Sequence, residues 1–213
     1  MPAAAAAEEA FSDPPGVALF PEEEAIIAKA VEKRRREFTT ARACARVALA
    51  RLGLPPVPIV PGVRGAPQWP RGVVGSMTHC AGYRACAVAR DKDLLAIGLD
   101  AEPHDKLPDG VLEAVSSAEE RKRLAALAAA VPGTHWDRML FSAKESVYKA
   151  WFPLTQRWLG FEDASVTIDP ETGTFTARLL VDGPRFNEVP LAGFTGRWLV
   201  DRGLIITAIA VPA

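Results

Sequence analysis

"AIGLDAEPHD", residues 96–105, runs from an apolar segment directly into two acids, Asp100 and Glu102, with one residue between them. On an extended strand, positions i and i+2 share a face. Read as a strand, the stretch sets the two carboxylates side by side and turns Ala101 away into packing. Like charges that close raise each other's pKa unless something positive lies between them. A solvated strand end satisfies the same pattern, so the residues that converge on these acids decide its meaning.

Working outward, the 213 residues suffice for a full core, and 49% apolar with 24% charged residues excludes wholesale disorder. A net charge of −1 offers no overall field for nucleic acid. Cys44, Cys80 and Cys86 are odd in number and lack CxxC spacing, which argues against zinc and a disulfide framework and fits a reducing, cytoplasmic setting. Cys44 reads as a small buried hydrophobe. "MPAAAAAEEAFSDPP" has acids where a secretion signal carries bases, and no stretch reaches the roughly 18 apolar residues of a membrane span. Residues 1–20 read as a frayed tail, 21–105 as an N-terminal lobe and 106–213 as a C-terminal lobe.

One long helix is expected from Pro21 to Gly53, with Pro21 in the first turn and Glu22–Glu24 at its positive end. At about 100° per residue its Arg35, Arg42 and Arg46 cluster within about 40°, with Arg34 roughly 80° from Arg42. A proline-rich connector follows, then strands over "GVVGSMTHCAGYRACAVAR", broken by a glycine turn, and over "LLAIGLD". Ser116 and Glu119 form a Ser-x-x-Glu capping box ahead of a helix. The next helix, "THWDRMLFSAKESVYKAWF", stops near Pro153. Strands "ASVTID", "TFTARLLV", "GRWLV" and "LIITAIAV" complete the chain, with an Arg-Gly turn before the last. The fold class is α+β, in two similar lobes.

Glu145 and Lys149 lie four residues apart, sharing a helix face opposite the apolar stripe. By itself that is a common surface pair. A strand with Asp100 and Glu102, a helix with Glu145 and a helix with arginines together suggest more. Mg²⁺ takes a few carboxylates, keeps waters and gathers phosphate oxygens, and arginines grip phosphate bidentately. The set suggests phosphate-ester or pyrophosphate chemistry. Ser76 and Ser142 have no general base at a telling spacing, which leaves a serine hydrolase unsupported.

The chain resembles the Sfp-type 4′-phosphopantetheinyl transferases through "IGLDAE" (97–102) and "FSAKESVYKAW" (141–151), about forty residues apart. "WPRGVVGSMTHCAGYRACAV" matches a third signature, while "KRRREFTTARACARVAL" and "KAWFPLTQRWLGFEDA" resemble the actinobacterial branch. The resemblance implies a pseudo-two-fold pair of lobes with the active site in the cleft between them. It implies transfer of the phosphopantetheine arm of coenzyme A to a serine of apo acyl or peptidyl carrier proteins, releasing adenosine 3′,5′-bisphosphate. These carriers belong to fatty-acid, polyketide and nonribosomal peptide synthases, and the enzyme is expected to be a monomer.

By position, Asp100, Glu102 and Glu145 match the Mg²⁺ (or Mn²⁺) carboxylates, with Ala101 lending its carbonyl. Arg34, Arg42, Thr78, His79 and Lys149 match coenzyme A contacts, and Trp158 lies on the pantetheine side. The family often has a base where this chain has Pro61; Arg64 is the nearest substitute. Glu145, directly or through a metal-bound water, is the expected base, and Lys149 the group that meets the leaving phosphate. His104 and His135 match no motif. The rival readings are a Mg²⁺-dependent nucleotide or coenzyme A pyrophosphate hydrolase, and a non-catalytic binding module.

Overall fold

The computed structural model describes residues 1–186 and 188–213. A three-stranded antiparallel sheet is built from β1 (Ala5–Ala10), β2 (Val73–Cys80) and β3 (Tyr83–Arg90) in the order β1-β3-β2. Against it packs α2 (Glu32–Arg51), which follows the short α1 (Pro21–Ile27). Ala45, Leu49, Ile59, Cys86 and Val88 fill the space between them, and Cys44 joins this core as expected. A five-stranded antiparallel sheet contains β4 (Leu94–Pro103), β5 (Ala164–Asp169), β6 (Thr174–Leu179), β9 (Gly193–Asp201) and β10 (Leu204–Pro212), ordered β4-β10-β9-β6-β5. A small hairpin, β7 (Arg185–Phe186) with β8 (Val189–Pro190), lies between β6 and β9 in the chain. Three α-helices lie between β4 and β5 in the chain: α3 (Val111–Val115), α4 (Ala118–Ala130) and α5 (Trp136–Thr155). Leu140, Val147 and Trp151 of α5 pack on Phe175, Ile205 and Ile209. Among the described residues, no helix is long and apolar enough to cross a membrane.

The mixed α+β class is as expected, and the Arg-Gly turn forms with both residues at positive φ, Arg202 at 49° and Gly203 at 73°. Residues 5–10 correct the frayed-tail expectation. They pair with β3 from Ala5↔Ala89 to Ala10↔Arg84, and Tyr83 Oη donates to Glu9 at 2.7 Å. The expected lobe boundary at residue 105 leaves β4 with the first lobe, whereas its ladder runs along β10, from Leu204↔Pro103 to Pro212↔Leu94.

The expected single helix over 21–53 is two. Its break has a tertiary cause. Glu23 is 0% exposed, accepts from the peptide N–H groups of Phe20 and Ile59 at 2.9 and 2.8 Å, and pairs with Arg46 and Arg42. In one continuous helix Glu23 and Arg42 would stand about 28 Å apart. Glu120 does the same work in the other half. It accepts from Ser117 N and Val166 N at 2.8 Å and from Lys144 Nζ at 3.0 Å. That burial moves the capping box one residue on, to Ser117 and Glu120. The second long helix also overruns its expected stop: α5 carries Pro153 in its last turn and ends at Gln156, φ 55°.

Two hydroxyls join the sheets. Ser76 Oγ accepts from Leu99 N at 3.1 Å and Thr78 Oγ1 accepts from Ala101 N at 3.0 Å. These β4 amides face β2 and have no ladder partner there, so buried hydroxyls satisfy them. On its other side, β4 meets α5 at Gly98, where an added Cβ would lie 1.9 Å from Ser146 O. Ser142 and Ser146 hydroxyls both reach Thr207 Oγ1, at 2.9 and 2.6 Å. The contact seats α5 against the strand that carries the acids.

Candidate active site

Asp100 is 4% exposed. Its Oδ1 accepts from Lys149 Nζ at 2.7 Å, and Lys149 also donates to Leu99 O at 3.0 Å. Two of the three ammonium donors are thereby used and one remains. Asp100 Oδ2 is buried and has no partner among the described residues. Glu102 Oε2 accepts from Arg138 Nη1 at 3.0 Å. The expected strand face is therefore formed, with one helix cation opposite each strand carboxylate.

Glu145 lies on α5 between those cations. Burial raises its pKa, Asp100 and Glu102 push it further, and Lys149 offsets part of the rise. Burial and then Asp100 raise the pKa of Glu102 as well, against the lowering effect of Arg138. Asp100 thus acts on both other carboxylates, and Glu102 on Glu145, as expected for adjacent acids with incomplete compensation.

The α2 side brings Arg34 and His79 together. Arg34 Nη1 lies 2.8 Å from His79 Nε2, and His79 Nδ1 faces Glu37 Oε2 at 3.6 Å. A guanidinium can only donate, so Nε2 accepts and the ring is neutral in this arrangement. Burial lowers the His79 pKa; Glu37 opposes the shift, while Arg34, Lys149 and Arg84 add to it.

Two expected contacts look different in place. Arg42 is 6% exposed: Nε donates to Ile59 O at 2.8 Å, Nη1 approaches Phe38 O at 3.4 Å, and the guanidinium covers the Phe38 ring. Burial lowers its pKa to about 10; Glu23 opposes that, and Arg34 and Arg46 reinforce it. Rather than standing as a free cation, Arg42 braces α2 against the connector. The Thr78 hydroxyl is likewise committed, to Ala101 N and, at 3.5 Å, to Asp100 Oδ1. It positions the acid strand.

Arg64 takes a left-handed φ of 54°, an uncommon conformation for a non-glycine residue. Its guanidinium sits 5.0 Å from the Trp158 ring centroid, and Trp158, 59% exposed, meets Tyr148 at 5.1 Å. Arg64, Trp69, Met77, Ile97, Tyr148 and Phe152 help to line a cleft of about 480 Å³, with Glu145 and Lys149 also on its wall. A smaller hollow of about 140 Å³ lies between Lys144, Tyr148, Trp158 and Leu159. Tyr148 Oη is buried without a partner among the described residues.

The hard-oxygen donor set and the orphaned Asp100 Oδ2 fit a divalent cation such as Mg²⁺. Among the described residues no three acidic, histidine or cysteine groups are already gathered as a closed metal cage. Lys149 and Arg138 instead hold the acids. The sequence reading missed Arg138 and Tyr148. Both had a signal: 138, 145 and 149 fall within about 40° of one another on a helix, and 148 within about 60° of 145.

Comparison with known proteins agrees. The family profile of the 4′-phosphopantetheinyl transferase N-terminal domain matches residues 22–89, and that of the 4′-phosphopantetheinyl transferase superfamily matches residues 96–194. The chain is 59% identical over 216 residues to the 4′-phosphopantetheinyl transferase Svp of Streptomyces mobaraensis, covering 100% of this chain and 88% of that protein. It is 53% identical over 208 residues to PptT of Mycobacterium tuberculosis (95% and 90% covered) and 53% identical over 218 residues to Npt of Nocardia iowensis (99% and 97%). Both also carry the transferase name, which favours transfer over the hydrolase alternative. Identity at this level along the whole chain shows that it belongs to the 4′-phosphopantetheinyl transferase family and is an enzyme of that class.

Proposed function

We propose that this enzyme transfers the phosphopantetheine arm of coenzyme A to the serine hydroxyl of apo acyl and peptidyl carrier proteins, with Mg²⁺ or Mn²⁺ as the metal. The observation that carries the proposal is the buried, unpartnered Asp100 Oδ2 beside two carboxylates whose pKa values are raised. Asp100, Glu102 and Glu145, with the Ala101 carbonyl, would hold the cation. When bound, it supplies Lewis-acid polarisation of the pyrophosphate and neutralises charge on the leaving group.

The chain's own residues supply the remaining steps. Glu145 takes the proton from the carrier serine, and its raised pKa moves it toward the range in which a carboxylate is an effective base near neutral pH. The third donor of Lys149 meets the phosphate that leaves. Arg34 and His79 grip the phosphates, with Arg42 as a fixed charge behind them and Arg64 at the far rim. Trp158 and Tyr148 flank the pantetheine side, while Thr78 holds the acid strand for the reaction. Exposed Lys33, Arg34 and Arg36 on α2 give acidic carriers a basic approach, raising association rates. Carrier domains of fatty-acid, polyketide and nonribosomal peptide synthases are the proposed partners. A reducing cytoplasm agrees with the three free cysteines, and a monomer is the proposed state.

The test is a mass measurement. An apo carrier incubated with the enzyme, coenzyme A and Mg²⁺ should gain one phosphopantetheine and release adenosine 3′,5′-bisphosphate. Coenzyme A cleavage without carrier modification would reject the assignment, as would transfer undiminished in excess chelator.

A further inference from the structure

All three guanidinium nitrogens of Arg138 are engaged. Nη1 donates to Glu102 Oε2 at 3.0 Å, Nε to Asp105 O at 3.1 Å and Nη2 to Lys106 O at 2.9 Å. It thus clamps both the acid and the loop that leaves β4. It stands seven residues before Glu145 and eleven before Lys149, on one stripe of α5. The stripe reads cation, acid, cation against the two acids of β4. Around the site, three carboxylates face two cations, one net negative charge before any metal arrives.

The Arg138–Glu102 pair is partly buried, at 15% and 20% for the two side chains. The buried Lys144–Glu120 pair, at 3% and 1%, is the structural brace of this region. Whatever stability the pair adds, Arg138 is the side chain that holds one oxygen of Glu102. Partners that orient a ligand's other atom are worth about 10–100-fold in metal affinity or activity.

We propose that Arg138 is a positioning residue: it holds Glu102 through Oε2, so that the other carboxylate oxygen is offered in a fixed direction to the divalent cation. This rests on the metal-dependent transferase reading above. Arg138 acts on the cation through Glu102.

The test uses Mn²⁺ as the probe, titrated into the full chain with coenzyme A and no carrier, and followed by electron paramagnetic resonance. Arg138→Ala should weaken Mn²⁺ binding about 10-fold or more, and Arg138→Lys, which keeps the charge but not the fork, should recover part of it. In a Glu102→Ala background Arg138→Ala should add nothing further. Melting curves without metal report folding; if Arg138→Ala fails to fold, Arg138→Gln, which can still donate to a loop carbonyl, takes its place in the same titration. Unchanged or tighter Mn²⁺ binding would overturn the proposal, the latter marking Arg138 as a competitor for Glu102. An undiminished extra loss in the Glu102→Ala background would overturn it too, making Arg138 a loop clip. Wild-type protein that binds no Mn²⁺ with coenzyme A would instead overturn the metal reading itself, and the proposal with it.

Discussion

Gly98→Ala tests whether close approach of α5 to β4 is what sets the site. The new methyl carbon would lie 1.9 Å from Ser146 O, 2.9 Å from Ser146 C and 3.1 Å from Ala150 Cβ. Two of those atoms are helix backbone, so no side-chain rotation relieves the contact. The helix must retreat by about 1 Å or more. Overpacking of this kind costs about 1–3 kcal/mol, offset by the roughly 0.5–1 kcal/mol that alanine gains over glycine in a strand. For a chain of this length the net, about 0–2.5 kcal/mol, corresponds to a fall of up to about 10 °C in Tm. The catalytic effect should be larger. Lys149 reaches Asp100 at 2.7 Å and Leu99 O at 3.0 Å, and a retreat of about 1 Å stretches both beyond hydrogen-bond range. Misplacement by about 1 Å costs about 10²-fold in rate. Fluorimetric melting and the carrier mass assay would be run on the same preparation. A variant that melts with the wild type and transfers at more than half its rate would show that the sheet yields freely, refuting the idea that Gly98 fixes the helix-to-acid distance.

Glu145→Gln keeps the shape and loses the base; transfer should fall about 10²–10⁴-fold without recovery at high Mg²⁺, and full recovery would make Glu145 a ligand only. Arg34→Ala should weaken coenzyme A binding in calorimetry and barely move Tm, whereas Arg46→Ala, which strips a partner from the fully buried Glu23, should cost about 3–5 kcal/mol of stability. Equal Tm losses in the two would contradict the division between surface grip and buried brace. The pKa of Glu145 is raised in the fold, so the folded chain binds more protons than the unfolded chain above the ordinary carboxylate range, and this group's stabilising contribution falls as pH rises through that window. His79, with a lowered pKa, works in the opposite sense, so the difference in Tm between wild type and Glu145→Gln isolates the acid. In chelator, the glutamine variant should gain on the wild type as pH rises above the ordinary carboxylate range; a flat difference would mean that Glu145 is not perturbed. Removing residues 1–12 should lower Tm by exposing the outer edge of β3, and an unchanged melt would return β1 to the status of a loose tail.

Elements whose signals are local were legible along the chain. Alternation and turn chemistry marked β9 and β10 and the Arg-Gly turn between them. Period-two spacing put Asp100 and Glu102 on one face, and the i, i+4 relation paired Glu145 with Lys149. The two motifs, read together, also led to the family. Tertiary structure alone decided whatever depends on a partner distant in the chain. Glu23 breaks the first helix because it must reach Ile59, Arg42 and Arg46, and no window around residue 28 contains that demand. Glu120 moves the cap because Lys144 and Val166 need it. "AAAEEA" has little strand preference of its own and becomes β1 because the edge of β3 offers it a ladder. Arg42 stands among the basic residues of its helix as one more candidate phosphate ligand, yet burial against Phe38 and Ile59 makes it a brace. Helical spacing can tell which residues share a face, but which of them are satisfied there is fixed only when strand, helix and connector close around the same few charges.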